Sequence, residues 1–89
     1  MRIFAGDELT MSDKKEIGLR IASARGFRRM SQTQLGDSIG VTKQTISGWE
    51  TGHRSPDGEK ISMLCRTLGC SADYLLGLSD DINGHYARY

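Results

Sequence analysis

Residues 32–50, QTQLGDSIGVTKQTISGWE, constrain the fold more than any other part of the sequence. They predict two short helices joined by a tight turn. In the first helix, Leu35 and Ile39 lie one helical turn apart and therefore share a face. Ser31, just before this helix, has the side-chain oxygen that caps free backbone amides at a helix start. The second helix is predicted to begin after a similar cap, Thr42.

The crossing of these two helices is predicted from the spacing of small and apolar residues. Gly40 stands where the chain must reverse direction, and glycine adopts a positive φ there without steric cost. Gly36 has no side chain where the second helix must cross close to the first. Ile46 and Trp49 lie three residues apart, which predicts that both face the core. Gly36, Gly40 and Ile46 therefore serve one helical crossing.

Three further helices are predicted around this pair from apolar residues at helical spacing. The first is predicted to be capped by Asp13, with Glu16 at capping-box spacing, and to end near Gly26. The fourth is predicted to be capped by Ser55 and opened by Pro56, and the fifth is short. The predicted buried residues of the first and fourth helices are Ile17, Ile21 and Ala24, and Ile61, Leu64, Cys65 and Leu68. The short fifth helix carries Tyr74, Leu75 and Leu76.

This pattern resembles the helix-turn-helix of the Cro and lambda-repressor type of bacterial and phage regulators. The resemblance covers residues 17–78, through the segments IGLRI, MSQTQLG, TISGWETG, SP and LGCSADYLLG. It implies an all-α fold, a compact five-helix lambda-repressor-like bundle. The chain departs from the family at Arg29, where a glycine is usual, and at Gly58, where an apolar residue is usual. These departures predict a displaced or strained turn and a weak start of the fourth helix, and an ordinary helical hairpin in another small bundle is the alternative.

The 89 residues allow one domain with one modest core. We expect a loosely ordered leader at 1–12, the helix-turn-helix domain at 13–78 and a polar tail or linker at 79–89. No apolar run is long enough to span a membrane, and the start lacks the features of a signal peptide, so we expect a cytoplasmic protein.

Little in the sequence predicts catalysis or a bound metal. Cys65 and Cys70 are expected to be reduced structural thiols, and they have no zinc-ligand spacing with His53 or His85. Paired carboxylates, a nucleophile with a base and a phosphate-binding loop are not visible in the sequence. We therefore expect no enzyme, no metal and no cofactor.

Positive charge accompanies the predicted helix pair. The net charge is only +1, but residues 13–54 hold eight Lys or Arg against four Asp or Glu. Such an excess fits nucleic-acid binding, although a plain solvated surface can carry it too.

A helix can enter the major groove of DNA and present its first residues to the base edges. By resemblance, Lys43 and Gln44 match the two principal base-reading positions, followed by Ser47 and Gly48. The chemistry agrees, because Lys can donate to guanine O6 or N7 and Gln can bond bidentately to adenine. Gly48 lets the backbone approach DNA but reads little itself. The alternative is that these are ordinary polar residues on an exposed helix.

Phosphate contacts need donors around the rim of that helix. Arg28 and His53 are weak candidates, since they could equally be solvated residues without a role in binding. The predicted phosphate-binding residues are Gln32, Thr42, Lys43 and Arg54.

Arg25 and Glu50 match positions that in the resembling family form an ion pair between the first helix and the end of the reading helix. A partly buried pair of this kind orients the helix more than it stabilises the fold. The alternative is two unrelated surface charges. Trp49 is predicted to lie in the core and not to stack on a base.

Together these features predict a sequence-specific regulator of transcription, a repressor that binds double-stranded DNA through residues 42–51. We expect a homodimer on a two-fold operator. The apolar residues at the end of the domain should form the dimer surface, and at least one should remain exposed in the monomer. The alternative is a protein-interaction module on the same fold, as in antitoxins, which salt-sensitive DNA binding would distinguish. The predicted dimer residues are Tyr74, Leu75, Leu76 and Leu78.

Overall fold

A computed structural model describes residues 11–82 of the chain. In this range it contains five helices and no strand, which confirms the predicted all-α, five-helix bundle. The predicted leader falls outside the described residues except for 11 and 12, and so does the predicted tail beyond residue 82. The helices are α1 (Met11–Phe27), α2 (Gln32–Ile39), α3 (Lys43–Glu50), α4 (Gly58–Leu68) and α5 (Ala72–Leu75).

The start of α2 and the turn into α3 form as predicted. The Ser31 hydroxyl accepts a hydrogen bond from the Gln34 amide, and the Gln34 side chain accepts one from the Ser31 amide. This reciprocal capping box fixes the start of α2. Gly40 ends α2 with a φ of 78°, and Thr42 caps α3 by accepting from the Thr45 amide. The direction of α3 is therefore set by local interactions.

Two glycines allow helices and turns to approach closely. A Cβ atom on Gly36 would lie 2.6 Å from the carbonyl oxygen of Val41, so the close approach predicted at Gly36 involves the turn that leads into α3. Gly18 on α1 is even closer to its neighbour, because a Cβ atom there would lie 2.2 Å from the carbonyl oxygen of Trp49. The α1–α3 contact therefore requires glycine at residue 18, which the sequence analysis did not identify.

The core lies where the five helices meet. Helix α1 packs against α3, and α3 packs against α2, while α4 covers α2 and α5. Trp49 is buried, as predicted, with 4% of its surface exposed. The side chains with almost no exposed surface come from all five helices or the α4–α5 turn: Ile21, Leu35, Ile46, Leu64, Leu68, Cys70 and Leu75.

The predicted starts of two helices are wrong. Helix α4 is capped by Asp57, whose carboxylate accepts from the Lys60 amide at 2.9 Å, and not by Ser55. Asp caps as well as Ser does, and its charge also interacts favourably with the helix dipole. The helix then begins at Gly58 instead of Pro56, which places the glycine at its first residue. Helix α1 begins at Met11, so Asp13 lies in its first turn.

The turn between α1 and α2 is strained at the predicted residue. Arg29 has a φ of 59°, and it is the single non-glycine residue with a positive φ among residues 11–82. A side chain in this left-handed region costs roughly 1–2 kcal/mol. The turn is closed by the Met30 amide, which donates to the carbonyl oxygen of Arg25 at 3.1 Å.

The chain beyond α5 stays against α1. The Arg20 guanidinium donates to the carbonyl oxygens of Tyr74 and Ser79 at 3.1 and 2.7 Å and pairs with Asp80 at 2.7 Å. Arg20 also lies over the Tyr74 ring, 4.9 Å from its centroid. Ile82 packs partly buried against the core. The packed chain therefore extends past residue 78 to at least residue 82.

The two cysteines are buried free thiols at the end of α4. The Cys70 amide donates to the carbonyl oxygen of Cys65 at 3.1 Å across Gly69, a C-terminal capping turn that brings the two side chains together. A hydrogen bond from the Cys70 thiol lowers the pKa of Cys65, while the same bond and burial raise the pKa of Cys70. Within the described range, His, Cys, Asp and Glu nowhere gather in a group that could hold a metal ion.

Candidate functional site

Helix α3 has one buried face and one exposed face. Ile46 and Trp49 point into the core, while Lys43 and Gln44 are exposed and Ser47 is half-buried. Residues that are three or four apart share a face of a helix, so residues 44, 47, 48 and 51 form one outer row. The predicted base-reading residues therefore lie at the exposed start and along the outer row of α3.

The start of α3 offers hydrogen-bond donors to an approaching anion. The Thr42 hydroxyl accepts from the Thr45 amide at 3.1 Å and lies 3.0 Å from the Thr45 hydroxyl. The first backbone amides of a helix have no partner within the helix and point outward along its axis. With the exposed Lys43 ammonium beside them, they create a positive end on α3.

Glu50 at the end of α3 holds together three helices. Its carboxylate accepts two hydrogen bonds from Arg25, from Nε at 2.6 Å and from Nη2 at 3.0 Å. Arg25 also donates from Nη1 to the carbonyl oxygen of Met30 at 2.9 Å. The Glu50 side chain is 7% exposed and that of Arg25 21% exposed, and their hydrogen bonding raises the pKa of the guanidinium. The two residues that were predicted to pair therefore meet in a bidentate, partly buried contact.

Gln32 contributes to the same cluster. Its side-chain amide donates from Nε2 to Glu50 Oε1 at 3.0 Å, and this bond ties α2 to the end of α3. The sequence analysis predicted Gln32 only as a phosphate donor and missed this contact. No local pattern could have shown it, because the two residues are 18 positions apart. One N–H of the Gln32 amide is used by Glu50, and the second N–H of the same group can still donate outward.

The loop after α3 folds back over Gly48. The carbonyl oxygen of Gly48 accepts hydrogen bonds from the amides of His53 and Arg54 at 3.0 and 3.1 Å. A Cβ atom on Gly48 would lie 3.4 Å from Cδ and 3.5 Å from Cγ of Arg54. The aliphatic stem of Arg54 therefore lies beside Gly48, against α3. The His53 ring lies 2.8 Å from the Thr51 hydroxyl, so it too is turned toward the end of this helix.

Arg28 lies in a different part of the molecule. Its guanidinium donates to the carbonyl oxygens of Leu68 and Gly69 at 2.5 and 3.0 Å, which satisfies the end of α4. Cations at this end of a helix also interact favourably with its dipole. The structure thus gives Arg28 a role in joining α1 to α4, and it does not bring Arg28 to α3.

Comparison with known proteins extends these observations. Residues 21–75 match the helix-turn-helix family. Repressor protein C2 of Salmonella phage P22 is 40% identical over 60 residues, which are 67% of this chain and 28% of that protein. The HTH-type transcriptional regulator YobD of Bacillus subtilis, itself uncharacterised, is 34% identical over 62 residues, 70% of this chain and 55% of that protein. The chain thus spans about a quarter to a half of the length of these curated relatives.

Solved structures agree with the sequence comparison. The P22 c2 repressor, in a crystal structure with a synthetic operator, superposes with a TM-score of 0.67 at 38% identity. The superposition covers 71% of this chain and 96% of that one.

In residues 11–82, none of the helices is long and apolar enough to cross a membrane.

Proposed function

Because this chain belongs to the helix-turn-helix family of the Cro and lambda-repressor type, we propose that it is a sequence-specific DNA-binding regulator of transcription that acts as a repressor in the cytoplasm. The observation that carries the proposal is that α3 has a buried inner face and an exposed polar start. Its inner face is fixed in the core by Ile46 and Trp49, while Lys43 and Gln44 stay exposed at its start. A rigid helix with free polar side chains at its start suits insertion into the major groove.

Base recognition begins at the start of α3. The Lys43 ammonium donates to guanine O6 or N7, and the Gln44 amide bonds bidentately to adenine N6 and N7. Ser47, one turn later, adds a short hydroxyl that can serve as donor or acceptor. These side chains supply the sequence preference of the complex, because base edges differ in their pattern of donors and acceptors.

Phosphate contacts position the helix over the groove. The backbone amides at the start of α3, the Thr42 hydroxyl and the Lys43 ammonium lie at one end of the helix, and the second amide hydrogen of Gln32 lies near the other. Contacts of this kind fix register and orientation without reading sequence. The Arg25–Glu50–Gln32 cluster maintains the angle of α3 to the rest of the domain, so that both groups of contacts form together.

Two copies are proposed to bind one operator with two-fold symmetry. Leu76 and Leu78 are exposed at 37% and 64% on the side of the domain that follows α5, where they leave α3 free. Isologous contact between such patches is the commonest way to form a dimer. The same exposed leucines also favour the second candidate function, a protein-interaction module that holds a different partner.

Binding-site selection from random duplexes tests the proposed function. A regulator should enrich one motif with two related half-sites, and the logarithm of its affinity should fall linearly with the logarithm of salt concentration. A chain that enriches no motif and binds DNA weakly and without salt dependence would instead support the protein-interaction module.

A further inference from the structure

Gly48 occupies a position on the outer row of α3 at which a side chain could reach a base. It lies one helical turn after Gln44, about 6 Å further along the axis. Glycine has no group that reads a base edge. The space beside it is nevertheless occupied, because the Cδ and Cγ atoms of Arg54 lie where they would contact a side chain at this position.

Arg54 is held at this place by two interactions. Its amide donates to the carbonyl oxygen of Gly48 at 3.1 Å, which fixes the backbone of the loop to the last turn of α3. Its aliphatic stem lies beside Gly48, where a Cβ atom would meet Cδ and Cγ at the ordinary contact distances of 3.4 and 3.5 Å but a longer side chain would overlap the stem. The conformation of Arg54 therefore depends on a small residue at position 48.

The guanidinium of Arg54 remains available for binding. Arg20, Arg25 and Arg28 use their guanidinium groups on carbonyl or carboxylate oxygens within the domain. Within residues 11–82, the guanidinium of Arg54 has no such partner, and the residue is exposed.

We propose that Arg54 determines specificity by reading a guanine from the place that Gly48 leaves free on α3, an inference that rests on the proposed DNA-binding function. The planar guanidinium of Arg matches guanine O6 and N7 bidentately, which is the commonest specific contact in the major groove. The sequence alone predicted a phosphate contact for Arg54. Its position along the outer row of α3, in line with Gln44, favours a base contact instead.

The test is binding-site selection by the unmodified chain and by Arg54→Ala. We expect the variant to lose its preference at a single base pair of each half-site, next to the pair read through Gln44. On the selected operator its affinity should fall roughly 5- to 150-fold. On an operator changed only at that base pair, the two proteins should bind almost equally. Arg54→Lys should keep the charge but recover little of the preference, because ammonium lacks the planar pair of donors.

Gly48→Leu provides an independent variant that keeps Arg54. Its side chain would displace the Arg54 stem, so the same base preference should disappear although every charge is retained. Gly48→Ala places its Cβ at an ordinary contact distance and should keep the preference. Arg66→Ala removes an equal charge from the exposed side of α4 and is the matched control, with no change in motif expected. Circular dichroism would verify that each variant is folded.

The outcomes separate this inference from the proposed function. An Arg54→Ala variant that weakens binding to every sequence by the same factor and selects an unchanged motif would overturn it and identify Arg54 as a phosphate contact. A wild-type chain that selects no motif at all would overturn both the inference and the proposed function.

Discussion

Glu50 is the residue on which the orientation of α3 depends most directly, since Arg25 and Gln32 both bond to its carboxylate. Arg25→Ala would leave a 7% exposed carboxylate with Gln32 as its remaining side-chain partner, and we expect a loss of about 3–5 kcal/mol of unfolding free energy. Glu50→Ala should cost less, because Arg25 is more exposed and keeps its bond to Met30. Urea denaturation of both single variants and the double variant measures the coupling. A double-mutant cycle with additive losses would contradict the proposed cluster.

Lys43 and Gln44 are the residues through which α3 is proposed to read bases. Replacing either by Ala should weaken binding to the selected operator by about 1–3 kcal/mol and remove the preference at one base pair. Lys60→Ala, on α4, removes the same charge away from α3 and should change neither quantity. Gel-shift titrations on the selected and on random duplexes provide the comparison. Equal losses on both duplexes would mean that these side chains contact only the backbone of DNA.

Gly36 in α2 and Gly48 in α3 are both helical glycines, but replacing each by Ala should change stability in opposite directions. Gly48→Ala should raise the unfolding free energy by about 0.5–1 kcal/mol, because Ala is the better helix former and its Cβ meets only a flexible side chain at 3.4 Å. Gly36→Ala should lower it by roughly 1–3 kcal/mol, because its Cβ would lie 2.6 Å from a backbone oxygen that cannot move alone. Thermal or urea denaturation of the two variants measures whether the unfolding free energy rises for Gly48→Ala and falls for Gly36→Ala. Stabilisation by Gly36→Ala would show that the turn does not approach α2 as described.

Features set by neighbouring residues could be predicted from the sequence. Ser31, Thr42 and Gly40 define caps and a turn through contacts within a few positions, and all three have the predicted roles. The predicted start of α4 was wrong because Ser55 and Asp57 are both good caps, and local chemistry alone did not decide between them.

Features that depend on distant parts of the chain were not predictable in this way. Gly18 is required by a carbonyl oxygen of α3, Arg20 bonds to residues some 60 positions away, and Gln32 meets Glu50 only after α2 and α3 have packed. In the candidate site, the family resemblance predicted the base-reading residues at the start of α3 and the Arg25–Glu50 pair. It did not reveal that Arg54 occupies the space beside Gly48, because this contact needs a fold-back of the loop.

The size of the domain fits the proposal that each copy binds one half-site. It measures 35 × 31 × 20 Å, and half-sites of two-fold operators lie about 34–36 Å apart. Two of the four predicted dimer residues, Tyr74 and Leu75, are buried in the core, while Leu76 and Leu78 are exposed as the prediction required.

Leu78→Ser should therefore abolish cooperative binding of a second copy while leaving affinity for an isolated half-site unchanged. Phe27→Ser is the matched control, since Phe27 is exposed at 59% and lies at the end of α1. Mass measurement in solution and stoichiometry on the selected operator report the outcome. Tight binding of a single copy to an asymmetric site would contradict the dimer.

We propose that this domain reads DNA sequence through α3. The decisive measurement is the affinity of the unmodified chain for its selected operator and for a scrambled duplex of equal length, across a range of salt concentrations. We expect the operator to be bound at least about a thousandfold more tightly at physiological salt, with both affinities falling as salt rises. Equal affinity for the two duplexes at every salt concentration would contradict the claim.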